Sequence, residues 1–230
     1  MTIAFDQITE FNQRVFRNIQ GTPDGVDEFD DLTQSKSARA YAHRAIANTP
    51  RSFTSDELNY HAIDYVFNQS TWLSSRFCNG SYPVWYGSVD LNTSFYETSF
   101  HWRKIFIEAP QGFNQAAGKS MMANRRVFTV ACHAALIDLR NKVSQHEELI
   151  HPDTTRYSIT QAVGERLYQQ GHPGLVTKSA RHLDGDNIVI FRRNILAEPQ
   201  YYQDYAYEYN FQHANTRVKN LQTNEIVLTL

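Results

Sequence analysis

The stretch SRFCNGSYPVWYGSVDLNTSFYETSFHW, Ser75 to Trp102, constrains the fold more than any other part of the chain, because its hydrophobic period changes midway. After the Asn79-Gly80 turn signal, PVWYGSVD alternates, with Val84, Tyr86 and Ser88 on one face and Trp85, Gly87 and Val89 on the other. Period two in an aromatic, β-branched run is the pattern of a strand. Asn92 or Thr93 can then cap a helix, along which Phe95, Thr98, Trp102 and Ile105 recur. A strand that feeds directly into a helix restricts the chain to mixed architectures.

The flanking sequence extends this reading. Phe5, Ile8, Phe11 and Val15 recur at intervals of three and four, which predicts a helix over Asp6 to Arg17, ended by the turn cluster GTPDG. TQSKSARAYAHRAIANTP suits a second helix, and Thr54 with Glu57 has the capping-box spacing that opens a third. PQGFNQAAGKSMMANRR reads as a connection, and VFTVACHAALIDL as a β-rich segment from Val127. Ser158 and Gln161 form another capping-box pair, with Gly171 placed to end that helix. GLVTKSAR and NIVIF read as strands around the turn LDGDN, and the last twenty residues as a strand pair joined near Thr223-Asn224. With no repeat and no visible linker, the expectation is a single α+β domain over residues 1–230. A helical insertion is expected near 27–72, and an extension with no assigned role near 197–230.

Composition limits the function. A formal net charge of −2 gives no electrostatic reason to expect nucleic-acid or membrane binding. The two cysteines, Cys78 and Cys132, are far apart and lack C-x-x-C spacing, so neither a disulfide scaffold nor a structural zinc site is expected. His146, Glu147, Glu148 and His151 lie together without a ligand spacing and read as a solvated polar loop; no metal is expected. There is no G-x-S-x-G, Walker loop or G-x-G-x-x-G. The first residues carry no basic segment followed by an apolar run, so a cytoplasmic protein is expected.

What remains is Arg76, next to a turn, and Glu97, a carboxylate among Phe95, Tyr96, Phe100 and Trp102. Two readings stay open from pattern alone. Glu97 is either an exposed helix residue with Arg76 as surface partner, or a desolvated carboxylate serving a site that cleaves an N-glycosidic bond. In such cleavage a carboxylate stabilises oxocarbenium charge, and aromatics stack on the flat leaving base.

Four segments resemble the RES-domain family, named for its Arg, Glu and Ser positions: RVFRNI, the Ser75–Trp102 stretch, YSITQAVGERLYQQGHPGLVTKSARH and GDNIVIFRRNIL. Their order and spacing carry the likeness from about residue 14 to 196. The resemblance places the family positions at Arg17, Arg76, Tyr86, Glu97 and Ser179, with Arg181 a lesser candidate. Three positions depart from the family pattern, namely Ser75, Pro83 and Phe95.

The resemblance implies a small split β-sheet core like that of ADP-ribosyltransferase toxins, with helices added near the N-terminus. It also implies an enzyme that degrades NAD+ by phosphorolysis or hydrolysis, with inorganic phosphate as a possible co-substrate and no cofactor. On this view Arg17 and Arg76 hold phosphate groups and Tyr86 orients the nicotinamide. Glu97 stabilises the ribosyl transition state, and Ser179 donates to phosphate or ribose. The implied partner is an Xre-like antitoxin whose C-terminal part plugs the cleft of a toxin. Mono-ADP-ribosyl transfer, a non-catalytic NAD-binding module and a delivered effector are the alternatives.

Overall fold

The computed structural model describes residues 3–20, 53–107 and 120–230. The second expected helix and the GTPDG turn lie outside the described residues, as does much of the 110–126 connection. The fold is α+β, and its strands join one mostly antiparallel sheet of eight in the order β1-β2-β5-β4-β3-β6-β7-β8.

The first element, β1 (Ile8–Gln20), is a strand and not the expected helix. Phe11 and Val15 are four apart, an even interval that also puts two residues on one face of a strand. Pairing decides between the two periods: every residue of β1 has an antiparallel partner on β3 (Ser120–Asp138), from Ile8 opposite Ile137 to Gln20 opposite Arg125. β3 starts seven residues earlier than the Val127 expected for it, so Ser120–Arg126 belong to a strand and not to a connection.

The pairing closes a ring. β1 meets β2 (Trp85–Ser88) at Phe16–Ser88. β2 pairs with β5 (Asp186–Ile190), β5 with β4 (Gly174–Lys178), and β4 runs parallel to the end of β3, which returns to β1. Phe11, Val15, Trp85, Phe128, Val130, Val176, Ile188 and Ile190 form one buried cluster that draws on all five strands. Ala62 and Ile63 complete it. They come from a π-helical turn, Tyr60–Asp64, that continues α1 (Ser55–Asn59). The predicted Thr54–Glu57 capping box opens α1, with both reciprocal hydrogen bonds formed.

β6 (Leu196–Asn210), β7 (Asn215–Asn220) and β8 (Ile226–Thr229) extend the sheet beyond β3. The terminal strand pair is where the sequence predicts it. β6, however, is no appendage, because it pairs with β3 from Ser120–Asn210 to Cys132–Leu196. α2 (Leu91–Ile107) packs Phe95 and Trp102 against Val127, Tyr205, Tyr207 and Val218 of this part of the sheet. Its cap is Asp90 and not Asn92 or Thr93: the Asp90 carboxylate accepts from the Thr93 backbone at 2.8 Å and from its hydroxyl at 2.6 Å.

α3 (Ser158–Gln169) covers the outer face of β4 and β5 through Val163 and Leu167. Gly171 ends it at φ +80°, as predicted. The expected capping box is absent; Tyr157 is the cap residue and uses no side-chain bond. Gln161 instead donates across to Ser74 Oγ at 2.8 Å and to the Ser75 carbonyl at 3.0 Å. Gly164 lets the helix approach, since a Cβ there would lie 2.0 Å from the Phe77 carbonyl oxygen. The segment around Arg76 is thereby held against α3.

His146 is buried and bonded to Glu148 at 3.3 Å, so the polar loop is only partly solvated. Among the described residues no group of ligating side chains is placed to hold a metal, and no helix is long and apolar enough to cross a membrane. Cys78 and Cys132 are buried free thiols.

At the far end of the ring, Arg140 grips Asp138 through Nε to Oδ1 at 3.0 Å and Nη2 to Oδ2 at 2.6 Å, and reaches Asp186 at 3.2 Å. The Arg140 hydrogen bonds hold the Asp138 carboxyl below its usual range. A lowered carboxyl adds stability above the unfolded value of about 3.9, and loses it as pH falls through the folded value. Urea midpoints measured from pH 6 down to 2 are therefore expected to fall in the acid limb. Asp138→Asn should flatten that limb by about 1 kcal/mol, a figure reduced for the exposure of Arg140. An unchanged acid limb in the variant removes the assignment.

Candidate active site

Arg17, Arg76, Tyr86 and Glu97 converge on one cleft of about 630 Å³. Its walls come from the Ser74–Phe77 segment, β1, β2, the ends of β4 and β5, and α2. α2 contributes by spacing: Ser94, Glu97, Thr98 and His101 line the cleft, while Phe95 and Ser99 are buried away from it. Intervals of three and four place those residues on one helical stripe.

Glu97 is the sole carboxylate among the described lining residues, and Arg17, Arg76, Lys104, Arg125 and Lys178 line the same cleft. Oε1 of Glu97 accepts from Ser179 Oγ at 2.6 Å and from Asn187 Nδ2 at 2.7 Å. Among the described residues no hydrogen bond reaches Oε2, and His101 Nε2 stands 3.9 Å away, one helical turn on. The exposed-helix reading of Glu97 is thus set aside: its side chain is only 22% accessible and is held from two strand ends.

Ser179 does not reach the cleft surface. It is fully buried, its hydroxyl proton goes to Glu97, and its oxygen accepts the backbone N–H groups of Arg181 and His182, each at 3.0 Å. With that hydrogen-bonding complement filled, it orients the carboxylate and has no proton left for a phosphate or ribose.

Arg17 lines the cleft and donates from Nη1 to the Tyr86 carbonyl at 2.7 Å, bridging the seam where β1 and β2 share a single register pair. Its guanidinium lies 5.3 Å from the Trp85 ring centroid. Burial pushes its pKa down to about 10, so it remains a cation at neutral pH. Among the described residues no carboxylate pairs with it. Arg76 donates to the carbonyls of Leu149 at 3.3 Å and His151 at 3.0 Å, and stacks over Tyr157 at 4.5 Å. These neutral partners fix its direction without cancelling its charge.

Tyr86 shares a 2.8 Å hydrogen bond with Ser75 Oγ and accepts from the Phe77 N–H at 3.0 Å. Burial pushes its phenol above the ordinary value, so it acts as a neutral hydrogen-bonding group. Ser75 and the Phe77 N–H together thus tie Tyr86 to the Arg76 segment. Arg181 does not line the cleft; its guanidinium lies on the Phe100 ring, and burial lowers its pKa.

Sequence reading missed Asn187, Arg125 and Lys178. For Asn187 a signal exists: it is polar within the otherwise apolar NIVI run of β5, which lies between two other strands, and a polar side chain there needs a partner.

Fold and cleft together define an α+β protein in which the one carboxylate among the described lining residues is held among cations. Residues 39–210 match the family model of the RES domain, more than half of the chain, and the protein belongs to the RES-domain family. Arg76, Tyr86, Glu97, Ser179 and Asn187 fall inside the match, and Arg17 precedes it. The match includes β6; of the strands, β1 precedes it, and β7 and β8 follow it. A comparison with curated proteins found no match.

Proposed function

We propose that the chain is an NAD+-consuming enzyme that breaks the bond between nicotinamide and ribose by hydrolysis or phosphorolysis. One observation carries the reading: among the described lining residues a single carboxylate, fixed by two neutral donors, faces a cleft whose other charged side chains there are cationic. NAD+ has the complementary pattern, with a diphosphate to meet arginines and a pyridinium ribose to meet a carboxylate.

In the reaction the C1′–N1 bond breaks and its electron pair goes to the pyridine nitrogen, so nicotinamide leaves neutral. Positive charge develops at C1′ and the ring oxygen, where Glu97 stabilises it. An oxygen of water or of phosphate then bonds to C1′. For water, Oε2 of Glu97 is the acceptor for the released proton. Arg17 and Arg76 bind phosphate oxygens by charge-assisted bonds, and Tyr86 forms a wall for the nicotinamide ring. Consumption of NAD+ suits a toxin, and an Xre-like antitoxin protein is the proposed partner.

The test is NAD+ loss by purified protein, with and without inorganic phosphate. Loss that requires phosphate identifies a phosphorylase, and loss without it a hydrolase. Label from NAD+ appearing on a protein acceptor would instead identify a mono-ADP-ribosyltransferase. Intact, folded protein that leaves NAD+ untouched overturns the proposal.

A further inference from the structure

We propose that Asn187 is a positioning residue for the reaction, forming with Ser179 a clamp on Oε1 that leaves Oε2 of Glu97 as the working oxygen. The inference rests on the NAD+ reading for its kinetic consequence, but the clamp itself is geometric.

The two donors reach Oε1 from different places in the chain. Ser179 follows β4, and Asn187 is the second residue of β5. Asn187 is itself oriented, because its Oδ1 accepts the Ser88 hydroxyl at 2.8 Å. The carboxylate assigns the amide: Glu97 Oε1 only accepts, so the Asn187 nitrogen faces it and donates at 2.7 Å, and the amide oxygen turns to Ser88. Ser88 lies directly opposite Asn187 in the β2–β5 register. Ser179 is oriented in the same way by the two backbone N–H groups that fill its acceptor positions. A chain of fixed donors therefore runs from the sheet to one carboxylate oxygen, while α2 carries the other end of the side chain.

A carboxylate on a flexible glutamate side chain has several rotamers. Two donors converging on a single oxygen select one of them and fix the plane of the group. Stabilising charge that builds at C1′ depends on such fixed placement, and a displacement of about 1 Å can cost about 100-fold in rate. Asn187 does not touch the substrate in this scheme; it acts through Glu97.

The experiment compares Asn187→Ala and Asn187→Asp in the full chain, alone and combined with Glu97→Gln. Asn187→Ala is expected to lower kcat for NAD+ loss by about 100-fold while KM stays within about threefold. Asn187→Asp is expected to be worse, since it sets a second carboxylate against Oε1. In the Glu97→Gln background Asn187→Ala should add less than about threefold, the mark of two residues acting as one unit. Equal, additive losses in both backgrounds would overturn the clamp, as would full kcat in Asn187→Ala.

A second readout needs no turnover. In a crystal structure of Asn187→Ala the Glu97 carboxylate should leave its single placement. A carboxylate unmoved from Ser179 overturns the proposal even if the protein proves to act on another substrate. If wild-type protein spares NAD+ while the variant releases the carboxylate, the functional reading fails and the clamp stands.

Discussion

Glu97→Gln is expected to lower NAD+ turnover by about 100- to 10,000-fold, the range for losing a positioned acid–base group, with the fold retained. Glutamine has the same shape, so its amide oxygen can still accept from Ser179 Oγ and Asn187 Nδ2, which now bond Oε1. What changes is the other position, where a neutral NH2 replaces the oxygen that holds negative charge. The cleft then has no carboxylate among its described lining residues, and Arg17, Arg76, Lys104, Arg125 and Lys178 remain around it. Positive charge developing on ribose would meet only other positive charge. The measurement is initial rate of NAD+ loss at saturating substrate, with thermal unfolding as the control for the fold. Turnover within a few-fold of wild type in a folded variant removes Glu97 from the centre of the mechanism.

Trp85→Ala is expected to destabilise the protein by about 3–5 kcal/mol. Trp85 is fully buried in the cluster enclosed by the strand ring, and its indole N–H donates to the Ala62 carbonyl at 2.7 Å. Truncation opens a cavity and strips a buried carbonyl of its donor, two costs that add. The ring lies over Gly87, where a Cβ would come within 2.6 Å of it, so no neighbour can readily fill the gap from that side. Denaturant unfolding should show the midpoint fall at an unchanged slope. A loss below about 1 kcal/mol would mean that the helical turn around Ala62 closes the space. The effect also bears on the cleft, because the Arg17 guanidinium rests against this indole.

Local punctuation and period made some elements legible in the sequence. β4 and β5 stand out because short apolar, β-branched runs flank the LDGDN turn, and α1 because Thr54 and Glu57 cap one another. β1 was misread because its spacing suits both periods, and the deciding fact is a partner strand more than a hundred residues away. β6, with its tyrosines, acidic residues and Pro199, has little apolar alternation, and its place comes from the long pairing with β3.

The site divides in the same way. Arg17, Arg76, Tyr86 and Glu97 line one cleft. That Ser179 donates to Glu97, and that Asn187 joins it, is not legible in the sequence, because a hydrogen bond between an α2 carboxylate and two strand ends leaves no trace in local spacing. Such contacts exist only after the ring has closed.

That closure sets a schedule for synthesis. The first strand of the ring, β1, leaves the ribosome with no partner and must wait for β3, to which it pairs from Ile8–Ile137 onward. The cleft needs more still, since Asn187 arrives with β5 after most of the chain has been made. Joining segments so distant in sequence makes folding slow compared with local helix formation. A nascent chain therefore carries Arg17, Arg76 and Glu97 for much of its translation without holding them in one place. Under the proposed function, this ordering holds back NAD+ consumption until β5 has been made and paired.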